Sequence, residues 1–301
     1  MLVKRILYYF SAGLVAMTCL IANTASAAPQ KTITFGWTAW SDAEFVTKLA
    51  QNLIHKHYGY EVKLTLADIG IQYAGVAKGS LDGMLMSWLP DTHRAYWQKV
   101  GTQVWDLGPL YTGAKLGWVV PDYIPKSQLD SIEDLKKAAV HSKLDGRIQG
   151  IDPGAGLMQL SDKAIKEYAL SHYDLVSASG AAMTAALARA ERQQKWIVVT
   201  SWTPHWMFGR WKLRFLKDPK GVLGGPQHID VVVRNGFTQD FPRVSDFLAR
   251  MYIPLEQLQA AMYEAQKTSY AEAVSAYEKA HPCRIHYWYT GKLDCAASAA
   301  D

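Results

Sequence analysis

The chain has 301 residues, 49% of them hydrophobic, with 32 basic against 27 acidic side chains and a formal charge of +5. No dense basic run accompanies that charge, which argues against a nucleic-acid partner. The length is enough for two lobes with proper cores.

At the N-terminus Lys4 and Arg5 precede an apolar stretch from Ile6 to Ile21, and a small-x-small tripeptide fills 25–27. This reads as a secretory signal peptide cleaved after Ala27. The apolar run is short for a membrane anchor. Cys19 follows Met17 and Thr18 and so lacks the small residues that a lipoprotein site needs. No later stretch is long and apolar enough to span a bilayer, so a soluble, periplasmic protein is expected. Without Lys4 and Arg5 the balance is 30 basic to 27 acidic residues. Two cysteines then remain, Cys283 and Cys295. In an oxidising compartment they read as a disulfide. The competing reading, a zinc site with His281 and His286, has no matching ligand spacing.

The elements alternate along the chain. Residues 31–37 read as a strand, and Ser41 starts a helix with Glu44 as its capping-box partner. Phe45, Leu49 and Leu53 give that helix one buried face. A strand at 60–66, a short helix at 71–78 and an apolar strand at 81–88 follow. Further strands lie within 114–121, 146–152, 195–202 and 228–237. Helices fill 157–170 and 181–194, and 239–281 is helical. The alternation predicts an α/β fold with parallel sheets covered by helices.

Trp40, Trp88, the turn Gly154–Gly156 and Trp202 each follow the C-terminal end of a predicted strand. Ligands bind at that end of open α/β sheets, so these loops are expected to face one cleft. A single tryptophan there is more often packing, as Trp97, Trp105, Trp196 and Trp288 are taken to be. Three at equivalent positions suit a quaternary ammonium, which donates no hydrogen bond and is held by π faces. Stacking on a sugar ring is the competing use, but sugar sites need many polar side chains, and these loops offer few. His93 and His205 are the polar groups of the tryptophan loops, and either could donate to a carboxylate. The Gly-rich turn at 150–156 precedes a helix whose N-terminus would favour an anion. Asp42 is either a first-turn acid on its helix dipole or a partner for a ligand cation. Ser87, Asp91 and His93 lie too close in sequence to converge as a triad, and no nucleophile elbow is present, so catalysis is not expected.

Four segments, "GWTAWSDAEF", "DGMLMSWLPDTH", "GIDPGAGLM" and "VVTSWTPHWMF", together resemble the substrate-binding proteins of glycine betaine ABC importers. The resemblance covers roughly 33–237. It implies the two-lobed periplasmic binding protein fold, type II, with the ligand in the interlobe cleft. The lobes are expected at 28–117 with 228–301, and at 118–227. Carried over by motif, Trp40, Trp88 and Trp202 would cage the trimethylammonium, with Trp37 the alternative to Trp40. His93 and the backbone of Gly156 and Leu157 would hold the carboxylate. The related choline-binding proteins place an acid near the first tryptophan, where Asp42 stands. The implied partner is a membrane-embedded ABC permease, and a monomer with neither cofactor nor metal is expected. The tail after 282 matches nothing in the resemblance.

Overall fold

The computed structural model describes residues 32–295, so the expected leader at 1–27 lies outside the described residues. The chain opens with β1 (Thr32–Trp37), α1 (Ser41–Tyr58), β2 (Glu61–Leu66), α2 (Ile69–Lys78), β3 (Gly83–Leu89) and α3 (Arg94–Val100). The long β4 (Val104–Pro121) leads to α4 (Ala138–Lys143), β5 (Arg147–Gln149), α5 (Gly156–Glu167), β6 (Asp174–Val176) and α6 (Gly180–Gln193). Then come β7 (Val199–Thr203), α7 (Met207–Arg210), β8 (Leu213–Phe215) and β9 (Gln227–Arg234). The chain continues through α8 (Phe237–Asp240), α9 (Pro242–Arg250), α10 (Leu255–Lys267), α11 (Tyr270–Ala280) and α12 (Pro282–Thr290).

The strands run in the order β2-β1-β3-β9-β4-β7-β5-β6, with β8 beside the far end of β4. The expected parallel pairing holds at both ends, where β1 lies parallel to β2 and β3, and β5 parallel to β6 and β7. The centre departs from it, because β9 runs antiparallel to both β3 and β4. β4 and β9 carry the chain between the two lobes, and a chain that leaves and returns does so in opposite directions. β4 belongs to both: Val104–Ala114 pair with β9, while Lys115–Val119 pair with β7. Its first half is broken by Gly108 and Gly113, both at positive φ, where the register with β9 shifts. Those breaks hide the strand from a periodicity reading, which sees only 114–121.

Each lobe has its own core. Trp118, Ile132, Leu135, Ile148, Tyr168 and Val198 form that of the second lobe. Phe35, Phe45, Leu85, Val232, Phe237 and Phe247 anchor the first. The first cluster continues across the cleft to Ile151, Leu157 and Trp202, so the lobes are closed on each other. In α1 Phe45, Leu49 and Leu53 are fully buried, as expected. The expected capping box does not form. Trp40 takes the N-cap position, Ser41 is already helical, and Glu44 pairs with Lys48 one turn on. The C-terminal helical region is four helices rather than one run. Pro242 restarts it after Phe241, and Ser269 caps α11 through a bond from the Glu272 amide. Beyond them α12 packs against α9, burying Trp288, and Arg250 Nε donates to the Trp288 carbonyl at 2.9 Å. A disulfide joins Cys283 at the start of α12 to Cys295, across a Cα separation of 5.2 Å. Among the described residues no helix is long and apolar enough to cross a membrane.

Candidate functional site

The ends of β1, β3, β5 and β7 converge on a small cavity between the lobes. Trp40, Trp88, His93, Gly156, Leu157 and Trp202 all line it. Thr92, Leu116, Ile151 and Ala155 complete the wall, which is almost wholly apolar. None of these four is among the expected site residues, although Thr92, Ile151 and Ala155 lie inside the motifs that carry them.

Each indole of the wall is oriented by its own N–H, which binds a partner. Trp40 Nε1 donates to Asp152 Oδ2 at 3.0 Å, and Trp202 Nε1 to Asp42 Oδ1 at 3.1 Å. Trp88 Nε1 donates to Met86 Sδ at 3.0 Å. A buried donor must be satisfied, and these bonds fix the rings with their donors engaged by protein groups. The Trp40 and Trp202 rings stand 6.2 Å apart, inclined at 59°, like two adjacent walls of a box. All three tryptophans are less than a tenth exposed in this closed form.

His93 and Thr92 are the polar side chains of the wall. His93 Nδ1 accepts the backbone N–H of Trp88 at 3.0 Å, with the Tyr73 hydroxyl nearby at 3.4 Å. An Nδ1 that accepts leaves the ring proton on Nε2. Burial pushes the His93 pKa down to about 3, so the imidazole is neutral near pH 7. Nε2 is buried and has no hydrogen-bond partner among the described residues. Beside it α5 begins. Met158 and Gln159 return their amides to the Ala155 carbonyl, so the amides of Gly156 and Leu157 come before the first helical bonds. Gly156 is required by the close approach of the other lobe: a Cβ there would lie 2.1 Å from the Thr92 carbonyl oxygen.

Three further candidates stand outside the cavity. Trp37 is half-buried, with Lys48 Nζ 5.8 Å from its ring centroid. Asp42 is fully buried behind the wall and accepts the Tyr111 hydroxyl at 2.7 Å besides the Trp202 indole. Burial raises its pKa to about 6 against the lowering effect of these bonds. His205 accepts the Met207 amide through Nδ1 at 3.2 Å and meets Trp202 edge-on, 4.8 Å away. Burial pushes its pKa down to about 3. Asp42 and His205 therefore buttress the ring of Trp202 rather than lining the cavity. Among the described residues no cluster of three or more His, Cys, Asp or Glu side chains is arranged to hold a metal ion.

The chain has relatives among known proteins. The glycine betaine/carnitine transport binding protein GbuC of Listeria monocytogenes is 36% identical over 185 residues. That match takes in 60% of this chain and 58% of GbuC, so the chain spans under two thirds of that relative. Lactococcal OpuAC, solved closed with glycine betaine, is 36% identical, with a TM-score of 0.79 over 86% of this chain and all of that one. A choline-binding protein of an ABC transporter, solved with choline, is 26% identical, with the same TM-score over 86% of this chain and 92% of its own. The family model for the substrate-binding domain of ABC-type glycine betaine transport systems matches residues 31–280, and the chain belongs to that family.

Proposed function

We propose that this protein binds glycine betaine or a closely related betaine in the interlobe cavity and delivers it to a membrane-embedded ABC permease. The observation that carries the reading is the make-up of the cavity wall. It combines three indoles with His93, whose buried Nε2 has no partner among the described residues, and with the start of α5, where the amides of Gly156 and Leu157 precede the first helical bonds. A trimethylammonium would be held by the indoles at roughly 0.5–2 kcal/mol per face, more when desolvated. A carboxylate would accept from His93 Nε2 and the α5 amides, contacts strengthened by its charge and by the helix dipole.

The lobes are taken as 28–117 with 228–301, and 118–227, in line with the change of β4 partners between Ala114 and Lys115. The work is binding without chemistry. An open form admits the ligand, closure about β4 and the return to β9 desolvates it, and the closed form docks on the permease. Export to the periplasm, cleavage after Ala27 and a monomeric state complete the reading. A second reading, choline, is favoured by the solved choline-binding relative and by buried Asp42 two residues after Trp40. It is weakened because both Asp42 oxygens already accept from Tyr111 and Trp202.

Tryptophan fluorescence titrated with glycine betaine tests the reading, followed by recovery of the ligand. A saturable spectral change with the ligand returned intact is expected. A ligand returned chemically altered would make this an enzyme, and no change at millimolar ligand would remove the binding role.

A further inference from the structure

Tyr96 stands on α3 in the first lobe and does not line the cavity. Its ring stacks on Tyr73 at 5.5 Å and meets His93 edge-on at 6.0 Å. Gly70 makes room for it, since a Cβ there would come within 2.9 Å of the ring. The ring is thus fixed by its own lobe. Its hydroxyl reaches the other one. It donates to the Gly154 carbonyl at 2.6 Å and accepts from Gln159 Nε2 at 2.9 Å. Gly154 lies just before α5 and Gln159 on its first turn, so the two partners bracket the amides of Gly156 and Leu157.

We propose that Tyr96 is a positioning residue, a clasp that ties engagement of the ligand carboxylate to the lifetime of the closed state. The inference rests on the betaine reading above. A carboxylate held jointly by His93 and the start of α5 draws the two lobes together at that point. The same displacement seats the Tyr96 hydroxyl between Gly154 and Gln159. The hydroxyl bonds to Gly154 and Gln159, neither of which lines the cavity, so the clasp acts on escape of the ligand and not on its recognition. The other tie near this turn, from Trp40 to Asp152, differs in running through a residue of the cavity wall.

Stopped-flow fluorescence with glycine betaine tests this on wild type, Tyr96→Phe, Gln159→Leu and the double variant. Tyr96→Phe keeps the ring and removes both bonds. Its dissociation rate should rise on the order of tenfold, with the association rate within about twofold of wild type. Gln159→Leu should give a smaller rise, and the double variant should dissociate no faster than Tyr96→Phe, because the Gln159 bond needs the hydroxyl. The melting temperature of the ligand-free protein should stay at the wild-type value. Additive effects of the two substitutions, or a Tyr96→Phe defect confined to association, overturn the clasp. So does wild-type dissociation in Tyr96→Phe when wild type itself binds glycine betaine. Wild type that fails to bind glycine betaine overturns the clasp together with the reading beneath it.

Discussion

The amide of Trp88 donates to His93 Nδ1, and that bond settles which ring nitrogen of a neutral histidine carries the proton. In the proposed reading Nε2–H then offers a donor to the ligand carboxylate without a buried positive charge. His93→Ala should lower glycine betaine affinity at least tenfold, since a hydrogen bond to a charged group is worth about 1.5–3 kcal/mol. Choline binding should change little, and calorimetry on both ligands reads the difference. Asp42 gives a second prediction. Its folded pKa is raised to about 6, above the ordinary carboxylate value. Between about pH 4 and 6 the folded protein therefore holds a proton that the unfolded chain has released. Stability from this group is greatest below that window and falls as pH rises through it, by on the order of 3 kcal/mol in all. Urea midpoints of wild type and Asp42→Asn should therefore diverge across that window, wild type losing ground as pH rises; parallel curves would show that Asp42 is ionised throughout. The tryptophans and His93 were legible in the sequence because they stand at or just past the C-terminal ends of predicted strands. Tyr111 and Asp152 were not, because their partners lie 69 and 112 residues away along the chain.

Between elements, the fit of α5 against the loop after β3 decides closure. Gly156→Ala places a methyl where the Thr92 carbonyl sits in the closed form. Glycine betaine affinity should fall by about a hundredfold or more, the cost of a backbone clash that only reopening relieves. The ligand-free protein should melt within a few degrees of wild type. Retained affinity in that variant would mean that the lobes need not approach this closely. The end of the chain yields a contrasting expectation. Cys283 and Cys295 close a short loop far from the cavity residues in sequence, worth up to about 3 kcal/mol on a chain-entropy argument. Cys283→Ser should lower the melting temperature while leaving betaine affinity unchanged within error, and unaltered melting would make the bond dispensable. At this scale the sequence is informative where periodicity is clean, as along Phe45, Leu49 and Leu53. It is silent where a strand is broken by glycines, as in the first half of β4, or where a short helix such as α12 carries aromatics on several faces.

Across the whole molecule, the residues of the cavity wall also bind the lobes to each other. Trp40 of the first lobe reaches Asp152 of the second, and Trp202 of the second reaches Asp42 of the first. A ligand in this cavity would therefore touch residues that also tie the lobes together. The α/β alternation and the converging strand ends could be read from the sequence. The antiparallel crossing of β4 and β9 could not, because nothing local to either strand records the direction of its neighbour. The central claim is that the cavity recognises both ends of a zwitterion. Glycine betaine and choline share the cationic head and differ at the other end, so side-by-side calorimetric titration of the wild-type protein at pH 7 isolates the anionic half. Loss of two or three charge-assisted contacts predicts that choline binds several hundredfold more weakly than glycine betaine. Choline binding as tightly as glycine betaine, or more tightly, would contradict the assignment of His93 and the start of α5 as a carboxylate site.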